Sequence, residues 1–249
     1  MIQMKFILYV QLILFTAISA CNKTKAPVFG AMPPTVEDTV IVTPPAKDST
    51  EKYFLALGDS YTIGQSVTIE ERFPAQTTSL LRGYGLNMLT PEYIATSGWT
   101  TLNLQNAITT QNPTGPYDVV TLLIGVNDQF QSGDTSGYRE RFTQLLQKSI
   151  ELAGNKTAHV FVLSIPDYSV TPFAASYNTA EISEEIDLFN AINKNVTLSH
   201  NISYTDITPS TRMASTDVSL IATDGLHPSG KEYAKWAALL APKIKAVLQ

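Results

Sequence analysis

Five short apolar runs, each about as long as a β-strand, follow one another along the body of the chain. The clearest covers residues 117–125, and its near-continuous apolar character predicts a central parallel strand that is covered on both faces. The run at residues 53–57 ends at Gly58, which suits another buried strand. A weaker strand is predicted at residues 92–96, a fourth strand at residues 158–165, which Pro166 ends, and a short fifth at residues 203–206.

Segments with apolar residues at helical spacing fall between and after these runs. In residues 138–153, for example, Phe142, Leu145 and Ile150 share one face, and Gly154 is a natural C-terminal stop. Further helices are predicted at residues 72–82, 102–109, 181–198 and 230–248. Strands that alternate with helices predict an α/β domain built on a mostly parallel five-stranded sheet with right-handed crossovers.

Three of the predicted strands are each followed by a short motif whose residues could take part in catalysis. Ser60 follows the first strand, Gly98 the second and Asn127 the third. Ligands of open parallel sheets bind beyond the carboxyl ends of the strands. We therefore expect these three residues to lie along one edge of the sheet.

The first 20 residues have the pattern of a secretory signal peptide. Lys5 gives a positive start, residues 6–18 are largely apolar, and Ser19-Ala20 places small residues before Cys21. The apolar stretch is shorter than the roughly 18 residues expected of a membrane-spanning helix. We therefore expect an exported protein.

Cys21 is the only cysteine of the chain, which excludes an intramolecular disulfide. The sequence Ile18-Ser19-Ala20-Cys21 resembles a bacterial lipobox, in which the cysteine is lipidated and becomes the mature N-terminus. The resemblance predicts a protein of the bacterial cell envelope that is held to a membrane through this lipid alone. An ordinary signal peptide with an incidental cysteine, or an uncleaved anchor, are the alternatives.

The remaining sequence divides into a linker and one domain. Residues 21–50 contain five prolines among Thr, Ala, Lys and Asp, a composition that favours an extended tether over a packed core. Residues 51–249 are the right size for a single domain. The net charge of −5 is spread along the chain, and no basic patch points to nucleic acid.

A nucleophilic serine needs a base, and the chain has three histidines to offer. His159 and His200 lack a partner motif and are expected to be structural. His227 follows Asp224 by three residues, so a compact turn allows the carboxylate to orient the imidazole toward Ser60. The alternative is that Asp224-Gly225 is only a turn before the last helix.

The tetrahedral intermediate of acyl transfer also needs hydrogen-bond donors for its oxyanion. The backbone N–H groups of Ser60 and Gly98 and the side-chain amide of Asn127 are the candidates. The alternatives are an ordinary loop glycine at Gly98 and a turn-capping role for Asn127.

Four blocks of the sequence resemble, in their order and spacing, those of the SGNH (GDSL) hydrolase family. They are Gly58-Asp59-Ser60, Gly98, Gly125-Val126-Asn127-Asp128 and Asp224-Gly225-Leu226-His227-Pro228, and the resemblance covers residues 51–249. It implies a flavodoxin-like three-layer α/β/α sandwich and a catalytic domain. It also implies a Ser60–His227–Asp224 triad, with an oxyanion hole made by Ser60, Gly98 and Asn127.

Two departures from known patterns accompany the resemblance. The family commonly has an asparagine shortly before the second-block glycine, whereas Ile94-Ala95-Thr96-Ser97 precedes Gly98 here. Thr62 stands where the nucleophile elbow of α/β-hydrolases has a glycine, which argues against that other fold.

These observations predict hydrolysis of acyl esters through an acyl-enzyme, with no metal or organic cofactor. Short acyl groups such as acetyl on carbohydrates are the expected substrate. The alternatives are a lysophospholipase or thioesterase and, from another class, a non-catalytic glycan-binding module. Trp99, beside Gly98, is open to three interpretations: a sugar-stacking residue, the wall of an acyl slot, or part of the core.

Overall fold

The computed structural model describes residues 50–249, which contain one parallel sheet of five strands. The strands are β1 (Phe54–Gly58), β2 (Glu92–Ala95), β3 (Val119–Leu123), β4 (Val160–Leu163) and β5 (Ser203–Thr205). Their order across the sheet is β2-β1-β3-β4-β5, and every neighbouring pair is parallel. The predicted α/β fold is confirmed, and the sheet is parallel throughout.

Helices connect the strands on both faces of the sheet. They are α1 (Ser60–Ile63), α2 (Phe73–Gly83), α3 (Thr101–Gln111), α4 (Val126–Ser132), α5 (Tyr138–Leu152), α6 (Thr179–Ser199), α7 (Thr208–Arg212) and α8 (Gly230–Leu248). Short 3₁₀ turns lie between them, among them Pro172–Ser176. Every residue of β1, β3 and β4 is buried, as expected of strands with both faces covered.

The two helical layers differ in membership. Helices α2 and α8 pack on each other, and α3, α5 and α6 form a second contiguous set. In the first layer, the rings of Phe73, Tyr233 and Trp236 lie 4.9–6.4 Å apart and are fully buried. The C-terminal helix α8 is thus fixed to α2, which lies between β1 and β2 in the chain.

The predicted third strand proves too long at both ends. The chain leaves the sheet after Leu123, and Gly125 turns with φ 127° to begin α4. Helices α1, α4 and α7 were not predicted, because four to seven residues are too few to show a helical period. The first two begin at, or one residue before, Ser60 and Asn127, so these turns decide where the motif residues point.

The predicted signal peptide, Cys21 and all but the last residue of the proline-rich linker lie outside the described residues. Among the helices of residues 50–249, none combines the length and apolar character needed to cross a membrane.

Candidate active site

The turn from β1 into α1 holds Ser60 at the edge of the sheet. A Cβ atom at Gly58 would lie 2.1 Å from Thr62 Oγ1 and 2.3 Å from the Leu123 carbonyl oxygen, so only glycine fits here. Asp59 caps α1, because its Oδ1 accepts a hydrogen bond of 3.0 Å from the Tyr61 N–H. Ser60 is therefore the first residue of a helix that starts directly beyond the strand.

Asp59 is fully buried beneath this turn. Burial raises the pKa of its carboxyl from the ordinary 3.8 to about 8; the hydrogen bond from Tyr61 N–H opposes the rise and the negative charge of Asp128 adds to it. Asp59 is therefore protonated at neutral pH, and it serves as a helix cap rather than as a base.

The two oxygens of the Asp224 carboxylate have different partners. Its Oδ1 accepts hydrogen bonds of 3.0 Å from the backbone N–H groups of Leu226 and His227. Its Oδ2 lies 2.6 Å from Nδ1 of the His227 ring. Both interpretations of the Asp-Gly motif thus hold together: one oxygen builds the turn, and the other orients the imidazole.

Ser66 is a partner of the carboxylate that the sequence did not reveal. Its hydroxyl donates a 2.6 Å hydrogen bond to Asp224 Oδ2, the oxygen that also faces His227. Burial raises the pKa of Asp224, but the hydrogen bonds from Ser66, Leu226 and His227 outweigh it and hold that pKa well below its ordinary range. Ser66 adopts φ 68°, which is uncommon for a residue other than glycine.

The second predicted oxyanion donor, Gly98, lies in an exposed loop with φ 80°. A Cβ atom there would meet nothing within 4 Å, so its backbone conformation, rather than lack of space, calls for glycine. The Asn127 amide nitrogen donates a 3.0 Å hydrogen bond to the Trp99 carbonyl oxygen. An amide has two N–H donors, so Asn127 can tether this loop with one and keep the other as the candidate oxyanion donor predicted from the sequence.

Other contacts support the Gly98 loop where the family's usual asparagine is missing. On one side, the Ser97 hydroxyl donates to Gln65 Oε1. On the other, Asp128 accepts hydrogen bonds from the N–H and hydroxyl of Thr101, at 2.8 and 2.6 Å. Arg141 completes the second group with an ion pair of 3.2 Å to Asp128. These contacts fix the start of α3 against α4.

The motif residues meet at one cavity of about 170 Å³. Ser60, Gly98, Asn127 and His227 line it, together with the apolar or aromatic side chains of Val126, Phe130, Tyr168, Phe173 and Leu226. The Tyr61 ring packs against the His227 ring, with centroids 5.3 Å apart. Asp224 contacts Nδ1 of this imidazole and is not among the residues that line the cavity.

The other candidates of the sequence lie away from this cavity. Nδ1 of His159 is 2.7 Å from the Asp118 carbonyl oxygen, and Nδ1 of His200 is 2.9 Å from that of Val196. Trp99 is partly buried against the core and does not line the cavity. Of its three interpretations, the structure favours the core.

Residues 56–235 match the GDSL-like Lipase/Acylhydrolase family, and this stretch is well over half of the chain. The chain belongs to the GDSL-like lipase/acylhydrolase family. It is therefore a carboxylic ester hydrolase, which removes the non-catalytic glycan-binding alternative. A comparison with curated protein sequences finds no match.

Solved structures share the fold of this GDSL-like protein at low sequence identity. A lipase, Lip_vut3, from a goat rumen metagenome has a TM-score of 0.62 and 21% identity, over 77% of this chain and 97% of its own. TesA has a TM-score of 0.61 and 16% sequence identity, over 79% of this chain and 100% of its own. A variant of Axe2, an acetyl xylan esterase from Geobacillus stearothermophilus, has a TM-score of 0.55 and 18% sequence identity, over 78% of this chain and 94% of its own.

Within residues 50–249, no group of three or more His, Cys, Asp or Glu side chains is arranged to hold a metal ion. The cavity is lined by the Ser60 hydroxyl, by the His227 imidazole, whose Nδ1 faces Asp224, and by Gly98 and Asn127 from two separate loops.

Proposed function

We propose that this esterase removes short acyl groups, acetyl above all, from carbohydrate esters. The observation that carries the proposal is the volume of the cavity at Ser60, about 170 Å³. Pockets for drug-sized ligands begin at roughly 300 Å³, so this one suits an acyl group of a few carbon atoms better than a fatty acyl chain. The acetyl xylan esterase among the structures of similar fold supports the same substrate class.

In the acylation step, Ser60 Oγ attacks the carbonyl carbon of the ester as His227 Nε2 takes its proton. Nδ1 of the imidazole keeps its hydrogen toward Asp224, which fixes the tautomer that leaves Nε2 free. The oxyanion accepts hydrogen bonds from the N–H groups of Ser60 and Gly98 and from the Asn127 amide. When the intermediate collapses, His227 returns the proton to the departing sugar oxygen.

Deacylation repeats these roles with water as the nucleophile. His227 takes a proton from the water as its oxygen attacks the acyl carbon of the Ser60 ester. The same donors stabilise the second oxyanion, and His227 then protonates Ser60 Oγ as the carboxylic acid leaves. Enzyme and imidazole return to their starting protonation states.

A series of p-nitrophenyl esters tests both the nucleophile and the acyl preference. We expect kcat/KM to fall at least about tenfold from acetate to octanoate, because added methylenes exceed the cavity. We expect Ser60→Ala to lower kcat at least about 10⁴-fold. Ser79→Ala is the matched control, since Ser79 is exposed on α2 and does not line the cavity.

Two results would contradict the proposal in different ways. Equal turnover by wild type and Ser60→Ala would remove Ser60 as the nucleophile. A rise of kcat/KM with acyl length would leave the nucleophile in place and favour the lysophospholipase or thioesterase alternative, for which the apolar side chains of the cavity would then hold the chain.

We also propose that Cys21 is lipidated and anchors the enzyme to a membrane of the bacterial cell envelope. The support is the lipobox-like sequence and the linker of residues 21–50 between it and the domain. Cys21→Ser should move the protein from the membrane fraction of cells to the released fraction, with kcat/KM on p-nitrophenyl acetate unchanged. Membrane association that survives the substitution would contradict lipidation at this cysteine.

A further inference from the structure

Four aromatic side chains form a continuous surface beside the catalytic cavity, here called the aromatic platform: Phe130, Tyr168, Phe173 and Tyr177. Phe130 comes from α4, whereas the other three belong to the segment between β4 and α6. Five pairs of these rings lie with centroids 5.6–6.3 Å apart. The platform is therefore one surface built from two separate parts of the chain.

Three rings of the platform remain open to solvent. Phe130 is 47% exposed, Phe173 38% and Tyr177 50%, whereas Tyr168 is buried beneath them. Contiguous exposed apolar surface is costly in water and commonly marks a binding site. The rings pack directly on one another, so they present outward surfaces rather than an enclosed cage of the kind that surrounds a quaternary ammonium group.

The platform joins the catalytic cavity to a second cavity of about 380 Å³. Phe130 and Tyr168 line both cavities, and Tyr177 lines only the second. In the proposed function, the ester has its carbonyl at Ser60 and its acyl part in the small cavity. Its alcohol part then has a continuous path over Phe130 into the larger cavity.

Apart from the aromatic rings, the second cavity is lined mainly by polar and acidic side chains. Its polar side chains include Gln129, Gln131, Asn178, Glu181 and Glu185. Glu185 accepts a 2.7 Å hydrogen bond from the Gln129 amide, and Glu181 accepts one of 3.1 Å from Asn178. No Lys or Arg is among the described residues that line the cavity, so an anionic phosphate would meet carboxylates without a counter-charge.

A sugar ring matches this combination of surfaces. Its C–H face is apolar enough to lie on aromatic rings, and its hydroxyl rim both donates and accepts hydrogen bonds. Carboxylates and amides supply the acceptors and donors that such a rim requires. Ligand sites typically combine apolar and aromatic walls with a few placed polar groups in the same way.

We propose that the second cavity and the aromatic platform bind the sugar that carries the ester, and so select the alcohol part of the substrate. This inference rests on the proposed esterase function. It adds Tyr177 as a specificity-determining residue that touches the alcohol part and not the acyl group. The contact is made during acylation and is lost when the sugar leaves.

Three acetyl esters that differ only in their alcohol test the proposal with the purified full-length protein: ethyl acetate, a monoacetylated methyl glucoside and acetylcholine. We expect wild type to have the highest kcat/KM for the glucoside. Tyr177→Ala should lower that value roughly tenfold, the scale of one aromatic contact, and leave the value for ethyl acetate within about twofold. The loss should lie in acylation, because deacylation is common to all three esters.

Two variants serve as controls. Tyr177→Phe keeps the ring and should retain the preference for the glucoside to within about twofold. Leu188→Ala removes an exposed apolar side chain of α6 that lines neither cavity. It should leave kcat/KM unchanged for both the glucoside and ethyl acetate. Equal melting temperatures of the four proteins would show that the fold is intact.

The outcomes separate the inference from the function beneath it. If Tyr177→Ala lowers kcat/KM equally for ethyl acetate and the glucoside, or for neither, the platform does not select the alcohol although the esterase stands. A preference for acetylcholine that depends on Tyr177 would show that the platform binds a cationic alcohol rather than a sugar. If wild type hydrolyses no acetyl ester but cleaves p-nitrophenyl octanoate, the proposed function itself fails.

Discussion

Asp59 and Asp224 are two carboxyl groups near the reacting serine whose surroundings drive their charges in opposite directions. Asp59 is fully buried, its Oδ1 accepts a hydrogen bond from the Tyr61 N–H, and burial raises its pKa enough to favour the protonated carboxyl. Asp224 is partly exposed and accepts hydrogen bonds from three residues, which hold it ionised. The negative charge beside His227 therefore comes from Asp224, whereas Asp59 adds a cap without a charge.

The raised pKa of Asp59 predicts a pH dependence of stability. The unfolded chain loses this proton above the ordinary pKa of 3.8, whereas the folded protein keeps it up to about 8. The free energy of unfolding that Asp59 contributes is therefore largest below 3.8 and declines as the pH rises toward about 8. Asp59→Asn cannot titrate, so its melting temperature relative to wild type should rise between about pH 4 and pH 8.

Asp134→Asn is the control for this measurement, because it makes the same substitution at an exposed loop residue. The difference between its melting temperature and that of wild type should stay constant between about pH 4 and pH 8. If the curve of Asp59→Asn also runs parallel, Asp59 is ionised in the folded protein and its assignment as a neutral cap is wrong.

Two short helices at strand ends place the candidate catalytic groups. Helix α1 begins at Ser60 directly after β1, and α4 begins one residue before Asn127 after β3. β1 and β3 pair in parallel with Gly58 opposite Leu123, so the two helices start side by side. The site therefore depends on the backbone of these two junctions as much as on the side chains.

The junction between β3 and α4 should not tolerate a side chain at Gly125. A Cβ atom would lie 2.1 Å from the Tyr138 hydroxyl, and φ 127° disfavours any residue but glycine. Tyr138 is fully buried and donates a 2.9 Å hydrogen bond to Asn193, so it cannot move aside. We expect Gly125→Ala to lower the free energy of unfolding in urea by roughly 3 kcal/mol.

Gly83→Ala is the matched control, because Gly83 ends α2 and an added Cβ atom would meet nothing within 4 Å. It should be neutral or stabilise by up to about 1 kcal/mol through better helix propensity. A loss from Gly125→Ala no larger than that from Gly83→Ala would mean that the junction adapts without strain.

At the scale of the whole molecule, the order of the strands explains why motifs distant in sequence meet. β1 lies between β2 and β3, so the loops that carry Ser60, Gly98 and Asn127 are neighbours at one edge of the sheet. His227 arrives from the far end of the chain, because α8 begins at Gly230 and packs on α2. One sheet and one helix pair thus assemble the candidate site.

The positions of the strands and of the motif residues were predictable, because both depend on local sequence. The run at residues 117–125 showed a buried strand by its apolar character, and Asp224 lay close enough to His227 for one turn to join them. Ser66 was not predictable, since its partner is 158 residues away. Nor was the bracing of the Gly98 loop by Gln65 and Asp128, which joins segments far apart in the chain.

Strand periodicity, turn chemistry and motif spacing are local properties, so they were enough to predict the α/β architecture and to propose five residues for a serine ester hydrolase. The fold sets the opposite shifts in pKa, upward for Asp59 and downward for Asp224, since burial and hydrogen bonding depend on the folded surroundings. It also brought Phe130 and Tyr177 together into the aromatic platform. The shape of the site around Ser60 and the charges near it depend on contacts between segments far apart in the sequence, which local patterns do not predict.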